Sequence, residues 1–424
     1  MSGPLHGIRI VELTSVVLGP WACQILADMG ADVIKVEAPR GDSNRSLGAA
    51  HHVGMAALYL TCNRNKRSIV LDLKNPDARA ALRRLTDRAD VFVHNNRPQA
   101  MRKLGLEYSD LKSSNPRLIY CGAYGYSKRG PYGTLGALDD SIQAASGIAS
   151  LNQQVIGEPR YMPTIVADKT TALTAVYAVT AALFHRERSG KGQEIEVPMF
   201  ETMVHFVMAE HLWGMTFVPP LGAPGYTRLM SKHRKPYRTR DGYIALLPYL
   251  DSHWEIFCRK VGREDLLSDP RFTTLADRVR HIDDTYGTTA EIMGTRTTRE
   301  WLELFRTTSI PAQSVNTLED LVTDPHLEAT GFWHQVPHPT EGTLRMPGFP
   351  VDFAATSVDV TRRHAPRLGE HTREILEELG LRSDEIDALI ATGAAGCIAP
   401  TGPSEGTAQK TQNSENGAAA GSDA

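Results

Sequence analysis

Short apolar runs alternate with segments of helical period along the first 122 residues, and few architectures accommodate that order. Ile8–Leu13 reads as a strand, Thr14–Pro20 as a turn, and Trp21–Met29 as a helix that Gly30 stops; Val33–Val36 is a second strand. The pattern repeats with a strand at Ser68–Leu73 and a helix at Asp77–Ala89, which sets Ala78, Ala81, Leu82, Leu85 and Ala89 on one face. Val91–His94 is another strand, Asn95–Gly105 a turn entering a helix, and Leu118–Gly122 a further strand. Strand–helix–strand units of this kind predict parallel pairing, with a nucleotide-type site at the carboxyl ends of the strands.

The remainder is less regular. Asp139–Arg188 reads as mostly helical, with its longest helix near Asp168–His185, ended by Gly190–Gly192 before a strand at Glu194–Val197. The Pro/Gly-rich stretch Pro219–Tyr226 predicts a linker, after which a smaller α+β unit carries a strand at Tyr243–Leu247 and helices at Trp254–Val261, Asp277–Gly294 and Thr298–Thr307. Two short helices, His371–Leu379 and one starting at Ser383, close the folded part. The expected organisation is an α/β large domain over 1–218, a linker at 219–228, a small domain over 229–325, and a return to the large domain over 326–393. Residues 394–424 are Gly, Ala, Ser and Thr with almost no large apolar side chain, which predicts a disordered tail.

Composition excludes several classes of function. With 46 Lys+Arg against 49 Asp+Glu in 424 residues, the net charge of −3 argues against a nucleic-acid binder held by a basic surface. Five scattered cysteines contain no CxxC pair, so neither a disulfide framework nor a metal site is expected. No signal peptide opens the chain, and Thr171–Phe184, its most apolar stretch, falls short of the ~20 residues that span a bilayer. The expectation is a cytoplasmic protein with no membrane partner.

Asp168 is the most informative residue. The apolar run Pro163-Thr-Ile-Val-Ala delivers it to the start of the long helix, where unpaired N–H groups and the helix dipole favour negative charge. An aspartate titrating near 4 is ionised at neutral pH and can act as a nucleophile without a general base. The same position equally suits a helix N-cap. His205 and His211, in a helical apolar stretch, read as packing or hydrogen-bonded histidines.

Several segments, taken in order, resemble the family III coenzyme A transferases. They are Gly7-Ile-Arg-Ile-Val-Glu-Leu-Thr14 with Gly19-Pro20, Gly30-Ala-Asp-Val-Ile-Lys-Val-Glu37-Ala-Pro-Arg-Gly-Asp42, Asn65–Lys74, and His94-Asn-Asn-Arg-Pro98 with Leu104-Gly105. Gln143-Ala-Ala-Ser-Gly147, Ser189–Gln193, Pro311–Thr317 and Pro366–Leu376 continue the likeness, which runs from about residue 5 to 393. The resemblance implies a Rossmann-like large domain built from both chain ends, an inserted smaller domain, and an interlocked homodimer. It makes Asp168 the nucleophile that forms an acyl anhydride and then a CoA thioester, passing CoA from an acyl-CoA to a free carboxylic acid. CoA and acyl-CoA would be substrates, with no tightly bound cofactor and no metal.

By matching position, the residues implied to contact CoA are Val16, Leu18, Arg40, Leu71, Lys74, Asn95, Asn96 and Lys103. Some relatives carry glutamine where this chain has Val17, and the glycine-rich loop that covers the intermediates in related enzymes has only Gly222-Ala-Pro-Gly225 as a counterpart, which also reads as a turn. A second basic cluster, Arg228, Lys232, Arg234, Lys235, Arg238 and Arg240, follows the linker and reads either as a charged domain edge or as an anion contact.

Three rival readings remain. An α-methylacyl-CoA racemase of the same fold needs a histidine near Leu138, and none occurs between His94 and His185. A nucleotide-dependent dehydrogenase needs a GxGxxG after the first strand, where the turn has a single glycine. A non-catalytic CoA-binding protein of the same fold would carry an unreactive Asp168.

Overall fold

The computed structural model describes residues 3–397. Six strands, β1 (Arg9–Leu13), β2 (Asp32–Glu37), β3 (Lys66–Leu71), β4 (Val91–His94), β5 (Ile119–Tyr124) and β6 (Gln193–Pro198), pair in parallel in the order β3-β2-β1-β4-β5-β6. The order reverses between β1 and β4, so the loops leaving these two strands open the crevice in which α/β sheets hold ligands. Helices cover both faces, which is why strands such as β4 and β5 are buried along their whole length.

One face packs helices Leu18–Asp28, Val166–Ser189 and Met199–His211 on Ile10, Val33, Val93, Ile119 and Cys121. The other packs helices Pro76–Asp87, Thr372–Glu378 and Ser383–Ala391 on Val11, Ile34, Ile69 and Phe92. Each large aliphatic side chain sealed in this way contributes about 1.5–3 kcal/mol. Helix Val166–Ser189 is rich in Ala and Thr because it lies against Leu18–Asp28; Ala167, Thr171, Ala172 and Ala175 let the two backbones approach.

Beyond the irregular stretch 217–236, β7 (Tyr237–Arg238), β8 (Tyr243–Leu246) and β9 (Ala312–Ser314) form an antiparallel sheet. With four helices it encloses a separate core built on Trp254, Phe257, Phe272, Trp301 and Phe305. The hairpin β10 (Trp333–His338) and β11 (Gly342–Pro347) then packs Val336 and Met346 against Met55, Tyr59 and Leu60 of the first half. The last strand, β12 (Ala395–Gly396), runs antiparallel to β3 at the edge of the large sheet.

Three expectations need correction. The tail does not begin at 394: Ala394 and Ala395 are buried, and Ala394 O accepts from Asp72 N at 2.9 Å, because small residues fit the covered sheet edge; 398–424 lie outside the described residues. The single helix at 277–294 is two, Leu275–Arg280 and Ile282–Met293, broken at His281, whose backbone (φ −107°, ψ 44°) is not helical. β3 starts two residues early because Lys66 and Arg67, polar in sequence, are buried in ion pairs with Glu12 and with Asp32 and Glu378.

Candidate active site

The turn after β1 stands on buried charges. Lys35, on β2, is fully enclosed and donates to Glu12 Oε1 (3.2 Å), Thr14 O (3.1 Å) and Asp42 Oδ2 (2.9 Å). Lys66 reaches Glu12 Oε2 at 2.7 Å and donates to Pro20 O at 2.8 Å. Burial alone would favour neutral amines; at Lys35 the Glu12 and Asp42 carboxylates overcome it and raise the pKa, whereas at Lys66 burial prevails and lowers it. Asp42 Oδ1 in turn accepts from Val16 N at 3.1 Å, and the Asn44 amide donates to Val16 O. Held from both sides, Val16 adopts φ +69°, a left-handed conformation unusual for a β-branched residue and maintained only where the surroundings impose it.

The turn after β4 completes the crevice. Asn95 Oδ1 accepts from Ser15 N at 3.1 Å, Asn95 Nδ2 donates to Ser15 O at 2.8 Å, and Asn96 Nδ2 donates to Leu13 O at 3.2 Å. Val16, Leu18, Asn95 and Asn96 are thereby brought together at the point where strand order reverses. Leu18 is the first residue of its helix, so its N–H has no intrahelical partner and lies at the positive end of the dipole, while its side chain is buried in the core.

Leu71 ends β3, and Arg40 and Lys74 follow the carboxyl ends of β2 and β3 along the same sheet edge. Arg40 and Lys74 are exposed, but the Leu71 side chain is 1% exposed, so only its backbone could meet a ligand. Lys103 lies in the last turn of helix Pro98–Leu104, about 7.5 Å of helix beyond its first residue.

A cleft of about 630 Å³ opens from Asn95, Asn96 and Arg97 to Tyr124, Leu138 and Ser141. Leu138 and Ser141 lie at the start of helix Asp139–Ala145, whose first residue, between the cleft-lining Leu138 and Asp140, holds the backbone of Asp168. Asp139 Oδ1 accepts from Asp168 N at 2.9 Å, and its other oxygen accepts from Gln143 Nε2 at 2.6 Å. Gln143 also donates to Thr164 O (3.3 Å) and accepts from Met162 N (2.8 Å), so one buried amide clamps the segment that delivers Asp168.

Asp168 is not a cap: the helix begins at Val166 with Ile165 in the capping position, and Asp168 is its third residue. Its carboxylate accepts no hydrogen bond among the described residues. Burial, and secondly the Asp139 charge, push its pKa up to about 7. The expectation of a carboxylate fully ionised at neutral pH is therefore wrong for this pocket, because a buried charge beside another carboxylate is penalised however favourable the helix dipole.

Asp139 and Gln143 escaped sequence reasoning as site residues, although Gln143 lies in a quoted motif; the signal was a polar side chain at a helical core position. His211 is buried and its Nδ1 accepts from Tyr226 N at 3.2 Å, but His205 is exposed rather than packed. Gly222–Gly225 lines a different cleft, with Trp213 and Phe217, that shares no residue with the one beside Asn95 and Asn96. Among the described residues, no group of three His, Cys, Asp or Glu could hold a metal ion, and no helix is long and apolar enough to cross a membrane.

Residues 5–372 match the model of CoA-transferase family III. A succinate–glutarate CoA-transferase of Agrobacterium fabrum is 35% identical over 395 residues, covering 89% of this chain and 96% of that one. A formyl-CoA:oxalate CoA-transferase of Escherichia coli O157:H7 is 30% identical over 421 residues, covering 92% and 99%. The crystal structure of a CAIB/BAIF family protein from Brucella suis superposes with a TM-score of 0.75 at 31% identity, covering 89% of this chain and all of that one.

Proposed function

The chain belongs to CoA-transferase family III, and we propose that it moves CoA from an acyl-CoA donor to a free carboxylic acid through covalent intermediates on Asp168. The carboxylate attacks the thioester carbonyl, the C–S bond breaks, and CoA thiolate leaves an acyl-aspartyl anhydride. The thiolate then attacks the aspartyl carbonyl, releasing the donor acid and forming an aspartyl-CoA thioester. The acceptor carboxylate attacks that thioester to give a second anhydride and free thiolate. Attack of the thiolate on the acceptor's carbonyl yields the new acyl-CoA and restores Asp168. Exchange between two acids is nearly isoenergetic, so the site must keep water from the anhydride.

The observation that carries this reading is the buried Asp168 carboxylate, positioned by its backbone and with its own oxygens uncommitted. The Val16–Leu18 and Asn95–Asn96 turns support binding of the CoA phosphates through backbone N–H groups and amides, with Arg40, Lys74 and Lys103 as flanking cations and Leu71 contributing main chain. An interlocked homodimer is supported by helix Val166–Ser189, which is apolar on both sides: Leu173, Tyr177 and Phe184 form an outward stripe, each at least half exposed.

The test is transfer activity over a panel of acyl-CoA donors and free acids, beginning with succinate, glutarate and oxalate because relatives carry those names. Asp168→Ala should lower transfer by at least about 10³-fold with CoA binding retained. Mass spectrometry of quenched turnover should find Asp168 modified in the native protein. Full activity in the variant would overturn the mechanism.

A further inference from the structure

The smaller body has a cleft of its own, of about 380 Å³, which shares no lining residue with the one beside Asn95 and Asn96. Its floor is apolar, formed by Leu246, Leu247, Pro311 and Ala312, and three cations, Arg228, Arg234 and Lys235, stand around it. No acidic residue lines it.

The charge at this cleft is not neutralised. Arg228 is held by phenols rather than carboxylates: Nη1 donates to Tyr286 Oη at 3.0 Å, Nε to Tyr226 Oη at 3.4 Å, and the guanidinium lies 5.3 Å from the centre of the Tyr249 ring. Arg234 and Lys235 have no ion pair among the described residues, and the same holds for Lys232, Arg238 and Arg240 beside them. Several arginines elsewhere on the same body are paired. Arg259, Arg263, Arg271 and Arg280 each meet a carboxylate, at 2.8, 2.8, 2.7 and 2.8 Å. Arg228, Arg234 and Lys235 thus bring three cations without a carboxylate partner to one concavity, while Lys260, Arg296 and Arg299, also without an ion pair among the described residues, lie outside its lining.

We propose that this cleft binds a short dicarboxylic acid, its two carboxylates on Arg228, Arg234 and Lys235 and its methylene chain on Leu246, Leu247 and Pro311. A guanidinium already oriented by neutral partners loses little freedom on forming charge-assisted hydrogen bonds to an oxyanion. The floor then sheds water against methylene groups, which distinguishes an aliphatic acid from a bare anion. The shared chemistry, an oxyanion, could also be supplied by a CoA phosphate, and the experiment separates the two.

Calorimetric titration of the full-length protein at low salt uses glutarate, acetate, inorganic phosphate and CoA as probes. Glutarate should bind saturably and more tightly than acetate or phosphate. Arg228→Gln, and separately the exposed pair Arg234→Gln with Lys235→Gln, should weaken glutarate by about tenfold or more, with CoA affinity unchanged. The double variant guards against misfolding, since neither side chain makes an internal hydrogen bond, and its thermal melting should match the native protein. Asp168→Ala should abolish transfer yet leave glutarate binding intact, so failure of the transfer reading and failure of this one are told apart. Absence of saturable glutarate binding, or binding unaffected in both cleft variants, overturns the proposal. A loss of CoA or phosphate affinity in those variants instead of glutarate affinity also overturns it and assigns the cleft to CoA phosphate.

Discussion

Asp168 shows how one residue's chemistry is set by its neighbours. A carboxylate with a pKa of about 7 is half protonated at neutral pH, and only the ionised form attacks a thioester. The sign follows directly: kcat/KM for transfer should rise tenfold per pH unit below about 7 and level off above it. Asp139→Asn keeps an oxygen for the Asp168 N–H but removes the negative charge that contributes to the upward shift. In that variant the rising limb should move to lower pH; an unchanged profile from pH-dependent initial rates would mean Asp139 acts only through the backbone. An acid near a helix start was legible in sequence, and the nucleophilic role proposed for it rests on the family resemblance. The acid's protonation behaviour was not legible, because that depends on Asp139, which is 29 positions away in the chain and adjacent only after folding.

At the scale of elements, the crevice depends on a turn whose backbone is maintained from below. Lys35 joins Glu12 on β1, Thr14 in the turn and Asp42 after β2, so it couples two strands to the conformation of Val16. Lys35→Met leaves the buried Asp42 carboxylate without its cation and Glu12 with Lys66 alone, and should destabilise the protein by about 3–5 kcal/mol in chemical denaturation. CoA affinity should fall as well, because Asp42 is then free to release Val16. The alternation of strands and helices was readable because parallel strands covered on both faces leave apolar runs. The start of β3 was not, since Lys66 and Arg67 enter the core only with partners supplied by other elements. β12 was missed for a related reason: two small residues form a strand only when an existing edge is there to pair with.

At the scale of the whole molecule, helix Val166–Ser189 has more apolar surface than one chain can cover. Its inner side packs on Leu18–Asp28, while Leu173, Tyr177 and Phe184 face outward. Light scattering should report twice the chain mass, and Phe184→Asp should shift the distribution toward monomer with a parallel loss of transfer. A native monomer with full activity would remove the dimer from the account.

What the amino-acid order by itself determined was the α/β class, the parallel pairing of the first strands, and the acid near the start of the long helix. These follow from local periodicity, from the handedness of strand–helix–strand connections and from the chemistry of single residues. Only the tertiary structure decided which side chains share a site: the Asn95 amide on the Ser15 backbone, Asp139 on Asp168, Lys35 beneath the turn, and the unpaired arginines around a cleft of the smaller body. Desolvation and Coulomb interactions act over a few ångströms of space, and distance along the chain carries no record of them.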